Sequence, residues 1–233
     1  MIDWWQSPLG QYVLQKEQAA LSGLQSHFFG YHQIQVGGGI KIMPEFSRPV
    51  CQSLIDNSAD IIGRAEILPL RSQSIDNLLL VHVLEFSEDP HQILREAERV
   101  LVDGGSLILC CFNPVSLWGL RRLFSLQDMM PWQGHFFTQT RIKDWLALLN
   151  LEMTKVEHHI FRLPINSHRW LNRCAYVERW GKRMWPFLGG VTLLVATKRS
   201  IPLTPITNPW QKKQLFPGSS LANKPITRDK MDG

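Results

Sequence analysis

The sequence predicts an α/β fold with a parallel sheet flanked by helices, and three observations carry that expectation. Leu78-Leu79-Leu80-Val81 is a continuous apolar run of the kind buried on both faces of a parallel sheet, and residues 106–112 form a second one. Between them, residues 91–101 place Ile93, Leu94, Ala97, Val100 and Leu101 on one helical face. Further upstream, residues 31–36 alternate like a strand and run directly into Gly37-Gly38-Gly39.

Taken in order, Ser7-Pro8 is a capping residue followed by proline at the first helical position, so a helix is expected from there to about His27. The strand over 31–36 follows. Pro44 and Pro49 then forbid a long regular helix after the glycines. Residues 50–55 read as a short strand ending at Asp56, and 60–62 as another, leading to Gly63-Arg64-Ala65-Glu66. Asp89-Pro90 opens the helix over 91–101, and Asp103-Gly104-Gly105 stops it with residues that tolerate the left-handed conformation. Strand, helix, glycine turn and strand make a βαβ unit, which crosses over right-handedly. Thr138 caps a helix through Leu149, and residues 151–156 and 190–196 read as two more strands. Residues 200–233 hold five prolines and few large apolar side chains and read as a tail, so the domain is expected to span 1–199.

Composition excludes several classes. Apolar runs fall far short of the roughly 20 residues of a membrane helix. The amino-terminal residues lack a basic region followed by an apolar core, so no secretory signal is expected. Four cysteines show no Cys-x-x-Cys pair and no metal-like spacing, so a reducing cytoplasm is expected and no metal site. Charge is uneven: residues 1–161 carry 12 Lys and Arg against 17 Asp and Glu, whereas 162–233 carry 13 against 3. The basic end faces an anionic partner or is simply well solvated.

Several short motifs then fall in one register: Leu68-Pro69-Leu70, Ser74-Ile75-Asp76, His82-Val83-Leu84-Glu85, Asp89-Pro90, Leu94-Arg95-Glu96, Arg99-Val100-Leu101 and Gly104-Gly105. This succession resembles the core of the type-11 family of class I S-adenosylmethionine (SAM)-dependent methyltransferases. The resemblance implies a Rossmann-like class I methyltransferase fold: a mostly parallel seven-stranded sheet whose last strand is inserted antiparallel. It also implies SAM as cofactor, across the carboxyl ends of the first strands. By position it assigns Gly37, Gly38 and Gly39 to the methionine part of SAM, Asp56 to the ribose, and Ala65 and Glu66 to the adenine side. His82 would line the cofactor or the reaction centre. Each has a plainer reading: a turn at the glycines, another at Asp56, and a histidine merely satisfied at a strand end. Asn113-Pro114, where the family often places substrate-facing groups, is equally a β-turn.

The sequence also departs from the family. The acid that often precedes the first glycine is Gln35, the third glycine position falls on Lys41, and the adenine-side acid is Arg64. About 25 residues separate Gly39 from Ala65, too few for two helices and a strand, so the second βα unit is expected to be truncated. The expected activity is methyl transfer to a small-molecule or lipid-like acceptor. His82 and His135 are the catalytic candidates, needed as a base only if the acceptor must lose a proton. A non-catalytic scaffold that binds an anionic partner is the alternative, as is an enzyme using another nucleotide, suggested by Lys41 and Arg64. Residues 161–186 interleave Arg162, Arg169, Arg173, Arg179, Lys182 and Arg183 with Trp170, Tyr176, Trp180 and Trp185. Such a stretch suits peripheral contact with an anionic membrane or, less well, a nucleic acid, or it is a surface helix whose tryptophans pack on the sheet.

Overall fold

The computed structural model describes residues 2–44, 51–56, 60–124, 131–164 and 183–199, all within one compact unit, Met1–Ser200. The 200–233 segment lies outside the described residues, as does most of the basic stretch 161–186.

Twelve elements follow one another: α1 (Ile2–Trp5), α2 (Pro8–Gly23), β1 (His32–Gly37), β2 (Cys51–Asp56), β3 (Ile61–Ile62), β4 (Ile75–Val81), α3 (Pro90–Val100), β5 (Leu101–Phe112), α4 (Leu117–Phe124), α5 (Gln139–Leu148), β6 (Leu151–His159) and β7 (Val191–Lys198). Short 3₁₀ turns lie at Gln25–His27, Leu84–Phe86 and Pro186–Leu188. The strands form one sheet in the order β3-β2-β1-β4-β5-β7-β6. Pairs from β3 to β5 are parallel, and β7 inserts antiparallel between β5 and β6.

Local chemistry sets the helix starts. Ser7 accepts from Gly10 N ahead of Pro8, Asp89 accepts from Gln92 N ahead of Pro90, and Thr138 accepts from Arg141 N. Side-chain alternation along the strands then divides the core. Leu78, Leu80, Leu107 and Leu109 face α3 and α5, whereas Leu79, Val81, Ile108 and Cys110 face Ala20, Leu21 and Leu24. A third cluster, built on Trp5, Phe112 and Trp118, closes the carboxyl end of the sheet.

Several expectations shift. α2 stops at Gly23, and residues 25–27 form a separate turn. α3 ends at Val100; Leu101 already pairs with Ile75, so the glycines do not stop the helix. They sit in an irregular stretch of β5, with Gly104 at φ 78°, between the Ile75 and Asn77 pairings of β4. β6 and β7 run longer than their apolar cores, to His159 and Lys198. α4 has no counterpart in the sequence reading. Its sequence, LWGLRRLF, spaces Leu117, Leu120 and Phe124 on one helical face, but that face is exposed and Trp118 and Gly119 are the buried residues. The truncation stands out: only four residues separate β2 from β3, too few for a crossover helix, and residues 38–44 contain no helix.

Candidate functional site

β1 delivers the glycine triplet to the carboxyl end of the sheet, beside the end of β4, where Gly37 pairs with Val81. All three glycines have positive φ (78°, 80° and 68°), a region costly to any residue with a Cβ. A Cβ on Gly37 would stand 2.4 Å from Val83 Cγ2, and one on Gly38 3.0 Å from Val81 Cγ1. Here the backbone alone can occupy the space.

Gln35 explains one departure from the family pattern. Its buried amide accepts from Ile42 N (2.9 Å) and Met43 N (3.3 Å) and donates to Ile40 O (2.7 Å) and Gly37 O (3.2 Å). A carboxylate could accept twice but could not donate to the two carbonyls. Glutamine therefore closes the glycine loop on itself where the described residues 38–44 form no helix. Lys41 is exposed, and the Arg64 side chain is 76% exposed, 3.6 Å from Glu66. Both replacements lie at the surface.

On the adenine side, Arg64 and Ile67 form a bridge that turns the chain through Ala65 and Glu66. The Glu66 carboxylate accepts from Ser87 Oγ (2.8 Å), and its carbonyl from Gln92 Nε2 (3.3 Å), which draws this turn to the β4–α3 connection. The neighbouring motif residues form a clamp. Glu96 accepts from Leu68 N and from Arg99, while Arg99 also donates to the carbonyls of Leu68 and Leu70. Leu68-Pro69-Leu70 and the Arg-Glu…Arg of α3 thus belong to one structural unit. Asp56 ends β2 one residue past the Ile55–Val36 pairing, beside the glycine loop; its side chain lies outside the described residues.

His82 occupies the centre. It takes φ 50°, unusual for a residue with a Cβ, and its amide donates to Cys110 O (2.9 Å). The imidazole is buried and stacks on Phe112 with ring centroids 4.0 Å apart. Nε2–H donates to Glu17 Oε1 from α2 (2.7 Å), and Nδ1–H to Glu85 Oε1 (3.2 Å), which also accepts from Phe112 N (2.6 Å). Burial alone pushes this imidazole toward the neutral form; attraction and hydrogen bonding from Glu17 and Glu85 outweigh it, and the pKa is raised to about 10. A protonated, doubly donating imidazole accepts no proton at neutral pH, so His82 is a tie between α2, β4 and β5. Glu17 Oε2 and Glu85 Oε2 are buried without a hydrogen-bond partner. Trp5 completes the arrangement: its indole N–H donates to Gly38 O (2.6 Å).

His135 comes to the same end of the sheet. Its amide donates to Glu85 O (2.6 Å), and its exposed ring stands 3.5 Å from the Arg122 guanidinium. The adjacent Phe136 stacks on Phe112 at 5.2 Å. The structure therefore brings both candidate histidines to opposite sides of Glu85, one enclosed and one open. Asn113 spends its amide on the carbonyls of Phe187 and Gly189, with Oδ1 accepting from Val115 N, so the turn reading describes it. Sequence reasoning missed Glu17, Glu85, Trp5 and Phe112. Glu85 lay within a recognised motif, and Glu17 falls at helical spacing from Val13, Ala20 and Leu21 on the buried face of α2, the one signal that could have found it.

Residues 39–109 match the family model of the type-11 methyltransferase domain. Over 220 residues the chain is 34% identical to YafS of Escherichia coli K12, an uncharacterized protein, covering 92% of this chain and 87% of that one. The chain belongs to one family with YafS, and its residues 39–109 match a methyltransferase domain. Among solved structures, a SAM-dependent methyltransferase from Thermotoga maritima superposes with a TM-score of 0.57 at 20% identity, over 84% of this chain and 94% of that one. The geranyl diphosphate C-methyltransferase of Streptomyces coelicolor, in complex with geranyl diphosphate and S-adenosylhomocysteine, does so at 0.50 and 14%, over 78% and 79%. These structural likenesses show the fold. The stretch matched by the family model begins at Gly39, so α2, Glu17 and the first two glycines lie outside it.

Proposed function

We propose that this chain transfers a methyl group from SAM to a small-molecule or lipid-like acceptor. The observation that carries the reading is the left-handed glycine triplet at the tip of β1, where Val81 and Val83 leave room for backbone only. A side-chain-free backbone at a strand tip is what the methionine part of a nucleoside cofactor needs for close approach. Gly37, Gly38 and Gly39 would hold that part, with Asp56 toward the ribose and Ala65 and Glu66 toward adenine. SAM supplies the activated methyl on a sulfonium when bound. The protein's task is positioning and exclusion of water, which by itself lowers a barrier by several kcal/mol. For an acceptor that must lose a proton, His135 has the open ring, whereas His82 is held charged.

Calorimetry and thermal shift with SAM and S-adenosylhomocysteine test the reading on the full chain. Ligand at a hundredfold over Kd is expected to add about 2.7 kcal/mol of stability, and Gly38→Val to remove the effect. Absence of any shift with either ligand at millimolar concentration would sink it.

A second reading, a non-catalytic scaffold, is favoured by Trp5, whose indole N–H occupies the Gly38 carbonyl. It makes the opposite forecast: wild type and Trp5→Phe alike fail to bind SAM, and Gly38→Val leaves partner binding intact.

A further inference from the structure

Around the loops that follow β5 and precede β7, the protein presents a surface unlike the rest of its exterior. α4 turns Trp118 inward and leaves Leu120, Leu123 and Phe124 exposed, the last two at 76% and 79%. Met184, Trp185 and Phe187 are exposed as well, Phe187 at 71%. Hydrogen bonds join these segments. Asn113 holds the carbonyls of Phe187 and Gly189, Trp118 Nε1 donates to Arg162 O (3.0 Å), and Arg121 donates to Pro164 O. Arg121 and Arg183 are exposed on these segments, Arg122 lies partly buried over the Phe136 ring, and residues 113–124, 160–164 and 183–190 contain no Asp or Glu.

Six large apolar side chains in water are unfavourable at about 25 cal/mol per Å² of apolar surface, and monomeric proteins seldom keep such groups together without a partner. Arginines rimming leucine, phenylalanine and tryptophan distinguish among partners. A purely protein-facing patch has no need of a rim of one sign. A nucleic acid would use the arginines and aromatic rings but would leave the leucines wet. An anionic bilayer uses all of them: aliphatic groups enter the acyl boundary, tryptophan rests at the headgroups, and arginines pair with phosphates.

We propose that this surface, α4 together with residues 184–187, docks the protein on an anionic phospholipid bilayer. Arg122 of α4 reaches His135, so docking brings the open histidine beside the lipid. If the function proposed above holds, the acceptor class is a lipid-soluble molecule taken from the membrane.

Flotation of the full-length protein with phosphatidylcholine vesicles, with and without an equal share of phosphatidylglycerol, tests the docking. Binding is expected with the anionic vesicles only. Leu123→Asp combined with Phe124→Asp should abolish it, at highly exposed positions where folding is little affected. Arg121→Gln and Arg122→Gln should each weaken it on the order of 5-fold. SAM thermal shifts keep the two readings apart: a retained shift with lost flotation in the Asp variant supports docking, and flotation of wild type without any shift removes only the catalytic reading. The proposal is overturned if neither vesicle binds, or if the Asp variant floats as well as wild type. It is equally overturned if the same substitutions instead abolish binding to an RNA oligonucleotide or a dimer seen by sedimentation.

Discussion

The two halves of the parallel sheet are held together by different means. From Leu68 to β5, a regular βαβ unit supplies its own support: α3 packs Ile93, Leu94, Ala97 and Val100 on the sheet, and the Glu96–Arg99 clamp pins the preceding loop. In the half formed by β1, β2 and β3, the described residues 38–44 form no such helix. Its loop after β1 is organised by one buried amide, Gln35, and is approached by Trp5 and α2 from the chain's beginning. Where helices shorten, single polar side chains take over the closing of loops. Between the halves stands His82, whose two carboxylate partners come from α2 and from the turn after β4.

That contrast can be broken hardest at its centre. His82→Ala removes the cation and leaves Glu17 and Glu85 buried together, and a loss of about 3–5 kcal/mol is expected by urea denaturation. The tie also has a pH signature. Because the folded-state pKa of His82 is raised from 6.5 to about 10, its contribution is fully present below pH 6.5 and is lost as pH rises toward 10. Melting temperature recorded between those limits should fall in wild type, and the part of that fall due to the histidine should vanish in His82→Ala. An equally steep profile in the variant would refute the charged tie.

Next in size, Gln35→Glu deprives the Ile40 and Gly37 carbonyls of their donor and should cost about 1–3 kcal/mol, with weaker SAM binding than wild type by calorimetry. If the carboxylate variant bound SAM better, the loop-closing role of the amide would be wrong. On the regular side, Glu96→Ala leaves Leu68 N and Arg99 without their carboxylate and should cost about 1–2 kcal/mol, with SAM affinity nearly unchanged because the clamp supports the loop from behind. Smallest of all, Arg64→Ala should change stability by under about 0.5 kcal/mol, its ion pair with Glu66 being exposed. A large loss of SAM binding there would restore the side chain to the site.

Much of this could be read in advance. Apolar runs such as residues 78–81 and 106–112, the caps at Ser7, Asp89 and Thr138, and the shortage of residues between Gly39 and Ala65 all express local physics: burial of a continuous run, pairing of free amides, and chain length. The glycine triplet was legible for the same reason, since positive φ is a backbone property. α4 was not, because eight residues give the pattern barely two turns and its apolar face is turned to solvent. Nor was Gln35, which reads as the loss of an acid until the four loop groups around its amide are seen.

The sequence by itself determined the strands, the helix starts, the family motif and the missing helices, since each depends on neighbours within a turn or two of chain. Only the tertiary structure decided that Glu17, on the apolar face of α2, is buried against a histidine 65 positions away. A charge declares its partner only when folding removes the solvent that would otherwise serve it, so the character of His82 was settled by packing.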